Sequence, residues 1–336
     1  DVYVNITAPN GGEILPVGED FEIEWTRERA IPDSFSILLS VNGGDSYDYT
    51  VVTGIGGHET SFTWNVDDLP VSEARIKIVA WYNGGVGGYD FSTSDFVIKG
   101  SPYRYVSKTG GNIFPYSTPA WAALTIQTAI NAASSGDTVM VETGTYNEKV
   151  TVQKQVHLLG GWNIGFTERD PDAWPSTINS NGSTVSFILV PGAGSGIEGF
   201  TITGGTGTAS QLPLTGIYGG GVYSYNSSPL IKDNTINACG YINATQYSAG
   251  GGIACYLGSA EISGNTLNNC VAQSGGGIYL YQTTAALEGN SITGSHPHVE
   301  YTGTRNGGGI CARNSTVTMS DNVITGNTAY VLSLIH

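Results

Sequence analysis

The sequence predicts an all-β protein in two parts, a small β-sandwich over residues 1–100 and a solenoid of stacked β coils over residues 101–336. Three observations carry this. Short alternating apolar runs separated by glycine-rich turns fill the first hundred residues. A unit of three glycines, an alternating run and an asparagine fifteen residues after the first glycine then occurs four times, starting at Gly219, Gly250, Gly275 and Gly307 and reaching Asn234, Asn265, Asn290 and Asn322. The spacing from each asparagine to the next triplet varies, at 16, 10 and 17 residues. One half of each repeat is held fixed while the other tolerates insertion, which is how a solenoid behaves, because coils must stack and their loops need not.

Composition bounds the function. Charged residues make up only 12% of 336, against 48 glycines and 19 tyrosines, a polar, β-rich chain of the kind common outside cells. No run approaches the roughly 18 apolar residues of a membrane span. The chain opens directly on a strand-like stretch, Val2 to Thr7, as a processed secreted form would, and a cytosolic protein would equally lack a signal peptide. Residues 1–100 hold 16 Asp and Glu against 5 Lys and Arg, giving −11 of the total −15. That sign argues against nucleic acid as a partner, since a phosphate backbone needs a basic face.

In chain order, the sandwich strands are Phe21–Trp25, Phe35–Val41, Ser61–Trp64, Arg75–Trp81 and Asp95–Ile98, with Trp25 and Trp64 in the core. The stretch Ala8-Pro9-Asn10-Gly11-Gly12-Glu13, Gly18, Ile23-Glu24-Trp25 and Leu39-Ser40-Val41-Asn42-Gly43-Gly44 resembles an immunoglobulin-like or fibronectin-III-like accessory module of secreted prokaryotic proteins. Such modules serve as spacers, adhesion units or sugar binders, so the resemblance implies fold more than function.

Gly100-Ser101-Pro102 marks the junction. Thr118-Pro119 then opens a helix, with Leu124, Ile126, Ala129, Ile130 and Ala133 at helical spacing and a stop at Ser134-Ser135-Gly136. Strands follow at Thr138–Val141, Lys149–Val152 and Val156–Leu159. This order, with Gly136-Asp137-Thr138-Val139, Gly144-Thr145-Tyr146 and Leu159-Gly160-Gly161-Trp162, resembles the N-terminal cap and first coils of right-handed parallel β-helix proteins of the pectin-lyase-like group. The helix would cover the open apolar end and unpaired edge of the first coil. Residues 162–184 read as an excursion before the coils resume.

Aligned on the asparagines, Ile231, Ile262, Leu287 and Met319 precede them by three residues and Ile236, Leu267, Ile292 and Ile324 follow by two. Ile197 and Ile202 occupy the same offsets around Phe200. These columns should face inward, stacked at about 4.8 Å. The asparagines should form a ladder at a bend, bonding between coils and tolerating left-handed backbone.

After each triplet, alternation turns the second and fourth residues outward. Tyr225, Tyr256, Tyr281 and Arg313 would form one exposed column, flanked by Tyr223 and Tyr279. Two readings stand side by side. A row of tyrosines on a rigid sheet suits sugar rings, and tyrosine also has high strand propensity of its own.

Cys239 and Cys270 each lie five residues past their asparagines, so a regular stack would bring their Cα atoms within disulfide range, at about 4.8 Å. Cys255 should point inward and Cys311 outward. The insertions Cys239–Ala249 and Ser295–Asn306 should emerge on one edge, where binding residues collect. The second holds His296, His298 and Glu300, weak candidates for a metal because their spacing matches no zinc pattern; solvated loop side chains explain them as well.

The pectin-lyase-like resemblance implies that a polysaccharide lyase or glycoside hydrolase must be weighed, with acidic calcium ligands beside a Lys or Arg base, or converging carboxylates. After Gly196 the bases are Lys232, Arg305 and Arg313, and the acids Glu198, Asp233, Glu261, Glu288, Glu300 and Asp321 are scattered. Only Glu198, Lys232 and Glu288 share an outward column, with Ser263 between the last two. No catalytic constellation emerges, and no cofactor or metal is implied. No polar cap follows Asn322 before His336, so the coils are expected to continue in a longer chain or to be covered by another molecule. Asn5, Asn181, Asn226, Asn243 and Asn314 head Asn-x-Ser/Thr triplets, which this composition also yields by chance. The sequence therefore points to a secreted or cell-surface, adhesin-like binder of polysaccharide or another extracellular polymer. A structural subunit that self-associates end to end is a further alternative.

Overall fold

The computed structural model describes residues 2–182, 185–210, 215–241, 246–297 and 306–329. The chain divides into two compact units, Asp1–Ser101 and Pro102–His336.

The first unit holds two sheets, almost wholly antiparallel. One pairs Val2–Ala8 and Ser61–Asn65 on either side of Asp20–Arg29; the other runs Ile14–Pro16, Phe96–Lys99, Val71–Tyr82, Ser34–Ser40, Tyr49–Gly56, with Gly85–Phe91 paired to Val71–Tyr82. Strict alternation supplies their inner faces: along Val71–Tyr82, Ala74, Ile76, Ile78 and Ala80 share one core with Trp25, Trp64, Phe35 and Phe96. Trp25 packs edge-on to Phe35 with ring centroids 5.2 Å apart. The strands at Tyr49–Gly56 and Gly85–Phe91 were not expected. The second follows Asn83-Gly84, whose φ angles of 52° and 78° are those a two-residue hairpin turn requires.

The second unit consists of long parallel sheets that curl around one apolar core. Three ladders recur. The first runs through Val150–Val152, Val185–Ile188, Val222–Ser227, Ile253–Ser263, Ile278–Tyr281 and Ile310–Arg313. The second starts at Tyr103–Val106 and Thr138–Glu142 and continues through His157–Trp162, Gly196–Glu198, Leu230–Lys232, the far half of Ile253–Ser263, Thr284–Glu288 and Thr316–Ser320. The third runs from Gly144–Asn147 through Ser176–Gly182, Phe200–Gly205, Thr235–Asn237, Thr266–Asn268 and Ser291–Thr293 to Val323–Thr325. The strand Ser176–Gly182 in it shortens the excursion expected over 162–184.

The inward columns fall in register as the repeat predicts. Ile197, Ile231, Ile262 and Leu287 are at most 1% exposed, as are Ile202, Ile236, Leu267 and Ile292. Met319 and Ile324 depart from the pattern, at 50% and 41% exposed; among the described residues their rung has a neighbour on one side only.

The asparagines form the ladder. Asn234 donates from Nδ2 to Asn265 Oδ1 at 3.0 Å, Asn265 to Asn290 at 3.0 Å and Asn290 to Asn322 at 2.9 Å. Each Oδ1 also accepts the backbone N–H of the previous asparagine, and Asn234 accepts that of Phe200. Left-handed backbone falls one residue earlier than expected, at Gly199, Asp233, Gly264, Gly289 and Asp321. That preceding residue turns the corner, which leaves each asparagine amide free to point inward and bond along the stack.

The helix is shorter than predicted. Pro119–Trp121 is a single 3₁₀ turn, and the α-helix is Ile126–Ala132, capped by Thr125. Ala123 interrupts it because its backbone extends the second ladder, donating to Tyr105 and accepting from Ser107 at 2.9 Å each. Glu148 then accepts the orphan N–H groups of Ile126 and Gln127 at 2.9 and 3.0 Å, satisfying the first turn. The helix buries Ile126, Ala129 and Ile130 against the first coil's core.

Candidate functional site

The first ladder aligns the tyrosines as the repeat requires. Tyr225, Tyr256, Tyr281 and Arg313 form one row and Tyr223, Ala254, Tyr279 and Cys311 the next. Val222, Ile253, Ile278 and Leu280 face the main core, so the tyrosines occupy the opposite face. They are not exposed as expected. Tyr223, Tyr279 and Tyr256 are 3%, 1% and 8% exposed; Tyr225 and Tyr281 are half-buried, and only Arg313 is open to solvent.

Two causes act together. Parallel, in-register stacking puts ring on ring: Tyr225 and Tyr256 are stacked with centroids 5.5 Å apart and Tyr256 and Tyr281 lie 5.2 Å apart, while within one strand Tyr279 stacks on Tyr281 at 6.5 Å. The insertions then cover the inner row. Thr208–Ser210, Gly216–Tyr218 and Ser248–Ala249 pair into a small sheet. Tyr218 from it and Tyr247 just before its last strand join Tyr223, Tyr279 and Cys311 in a second apolar cluster, with Tyr218 ring centroids 6.1–6.3 Å from Tyr247, Tyr223 and Tyr279. The sequence did not single out Tyr218 or Tyr247, because the strand pairing that places them has no counterpart in the repeat.

Polar groups remain inside this surface. The hydroxyls of Tyr247 and Tyr279 are buried without a partner in hydrogen-bonding geometry. Burial raises the Tyr279 pKa, with Tyr247 adding to the effect, and burial also raises that of Tyr256. The Tyr279 and Tyr256 phenols are therefore neutral donors across the physiological range.

Ala249 bridges to Ser274 and Ser274 to Asn306, so the ends of both insertions line up on one edge. His296 lies there, its ring Nδ1 3.1 Å from the Pro297 carbonyl. His298 and Glu300 fall outside the described residues. Among the described residues no three metal-ligating side chains converge.

Cys239 and Cys270 stack on neighbouring rungs beside the Gly240–Val271 bridge, but no disulfide joins them and all four cysteines are free. Each thiol instead lies near a carbonyl of the preceding rung, with Cys239 Sγ 3.7 Å from the Ile202 carbonyl and Cys270 Sγ 3.8 Å from that of Ile236. Burial pushes their pKa up to about 11 and about 12. Cys255 is buried inward, as expected, while Cys311 lies under the cover at 9% exposed.

A charged cluster forms on the outer face of the second ladder. Register places Glu198, Lys232, Ser263 and Glu288 in one column. The sequence missed the two groups that reach Glu198 from elsewhere. Arg169, from the excursion, pairs with it at 3.0 Å, and His157 Nε2 lies 3.7 Å away; Lys232 is at 3.9 Å and also 3.5 Å from Asp233. The Glu198 side chain is 14% exposed. Burial lowers the His157 pKa, and the Glu198 carboxylate opposes that shift.

No helix among the described residues is long and apolar enough to cross a membrane. Neither the curated proteins nor the solved structures returned a match to this chain. A family model described as "Protein of unknown function (DUF1565)" matches residues 117–335, a stretch that takes in the α-helix, most of the ladders and the tyrosine row. On that match, which spans well over half of its length, the chain belongs to the DUF1565 family.

Proposed function

We propose that this is a secreted or surface-displayed glycan-binding protein, with an immunoglobulin-like β-sandwich followed by a right-handed parallel β-helix of the pectin-lyase-like kind. The observation that carries the reading is the row Tyr225, Tyr256 and Tyr281, ending on exposed Arg313 and repeating at the ladder spacing. Its mode of contact differs from simple ring stacking. The ring faces are largely taken up by one another, so the row offers hydroxyl edges and a guanidinium to the hydroxyls of an extended polymer, as repeated weak contacts along a rigid rod.

Tyr225→Phe and Tyr281→Phe with Arg313→Ala test this while keeping the packing that alanine at the tyrosines would remove. The wild type should be retarded in native gels cast with polysaccharide, and the triple variant less so. A wild-type chain that migrates freely through every polymer contradicts the reading.

A second reading, polysaccharide lyase or glycoside hydrolase, has one observation in its favour: the half-buried Glu198 carboxylate among Arg169, His157 and Lys232. Incubation with uronic-acid polymers, followed by absorbance of unsaturated products and by reducing ends, separates it from pure binding.

A further inference from the structure

The first unit carries an aromatic surface that nothing above uses. Ile76, Ile78 and Ala80 turn into the core, so alternation along Val71–Tyr82 sends Arg75, Lys77, Val79 and Trp81 to the opposite face. The hairpin sets Tyr89 beside Val79 and Phe91 beside Lys77. There the Phe91 ring lies 5.3 Å from Tyr47 and 5.4 Å from Tyr89. Lys77 Nζ sits 4.7 and 5.1 Å from the ring centroids of Tyr89 and Phe91. Trp81 donates its indole N–H to Ser36 Oγ at 2.9 Å.

These rings are held but not covered. Tyr89 is 55% exposed, Trp81 38% and Phe91 37%. The lysine fixes two of them from one side through cation–π attraction, and the hydrogen bond fixes the third, so little side-chain freedom is left to lose on binding. An apolar surface kept rigid and open on a β-sheet marks a contact site. Charge narrows the partner. With 16 acidic against 5 basic residues in positions 1–100, a polyanion is repelled, and Arg75 is already paired with Asp95 at 2.6 Å. Lys77 remains as a donor. Flat rings rimmed by a donor fit the apolar face and hydroxyl edge of an uncharged pyranose.

We infer that this face binds a neutral polysaccharide, stacking its sugar rings on Trp81, Tyr89 and Phe91 with Lys77 donating to sugar hydroxyls. The inference shares its ligand class with the reading above but uses none of the same residues.

The test uses the full chain in native gels cast with β-glucan, mannan or xylan, with polygalacturonate as the anionic arm. At least one neutral polymer should retard the wild type and polygalacturonate should not. Trp81→Ala and Tyr89→Ala should each weaken that retardation about tenfold, and Ile164→Ser, at a 78% exposed site in the other unit, should leave it unchanged. Thermal melting confirms that the variants fold; Tyr89→Leu, which keeps apolar bulk but has no ring to stack, serves as a milder second variant. Retardation that survives the ring variants overturns the inference, and if it then falls with the Tyr225, Tyr281 and Arg313 changes, the proposed function stands without this face. Loss with the ring variants alone supports the face and removes the tyrosine row. A concentration-dependent dimer that Trp81→Ala abolishes would assign the face to a second copy of the chain and also overturn the inference.

Discussion

The tyrosine row of the parallel ladders and the ring cluster of the antiparallel unit end in opposite states. In the parallel ladders, identical residues recur at one offset and are stacked rung on rung, so Tyr225, Tyr256 and Tyr281 meet ring to ring at 5.5 and 5.2 Å and spend their faces on each other. In the antiparallel unit, neighbouring strands set unlike residues side by side. Tyr89 lies beside Val79 and Phe91 beside Lys77, and the rings keep open faces. The difference teaches that a tyrosine count on an outward strand face does not measure exposure: parallel in-register pairing converts such a column into packing, whereas antiparallel pairing leaves it available.

The largest expected effect probes the stacking that makes this so. Asn265 is fully buried, and its removal deprives the Asn234 N–H and Nδ2 of their acceptor and the Ile231 and Ser263 carbonyls of their donor. Asn265→Ala should cost the parallel unit about 4 kcal/mol in urea unfolding. Hydrogen exchange should show the loss in peptides from the ladders and not in those of residues 20–82. A direct contrast comes next. Tyr256→Ala, at an 8% exposed site, should cost about 3 kcal/mol, while Tyr89→Ala, at 55%, should stay within about 0.5 kcal/mol. Equal losses would erase the distinction between the two surfaces.

A smaller effect tests the charged cluster. Burial holds the folded-state pKa of His157 below its ordinary 6.5, so the unfolded chain takes up the proton first. The contribution to stability is complete above about 6.5 and is lost as pH falls below that value toward the folded pKa. Arg169 and Lys232 oppose protonation and Glu198 favours it. His157→Gln should flatten this part of the stability–pH curve; an unchanged slope would place the proton uptake elsewhere. The smallest effect concerns the cysteines. With all four free and buried, a reducing agent should leave the melting temperature unchanged, and a fall of several degrees would reveal a bridge.

The sequence carried the parts of the fold that repeat. The glycine triplets and asparagines gave the register of all three ladders, the inward columns and the side-chain ladder, because each coil repeats the same contacts. What it could not show was set by segments outside the repeat. The cover over Tyr223 and Tyr279 comes from strands at 208–210, 216–218 and 248–249 that pair with one another across insertions. Arg169 reaches Glu198 from a single excursion. Gly85, Gly87 and Gly88 disguised the Gly85–Phe91 strand as a turn, and with it the exposed rings of the first unit. The repeat places Cys239 and Cys270 within bridging range but does not fix where their thiols point, and each thiol lies near a carbonyl of the preceding rung.

Acetylation of tyrosines by N-acetylimidazole, mapped by mass spectrometry with and without a neutral polysaccharide, tests the contrast most directly. Tyr89 should react readily in the free protein and be shielded by the polymer, while Tyr223, Tyr256 and Tyr279 stay unreactive in both. Equal labelling of the two sets, or a polymer that shields neither, would contradict the account.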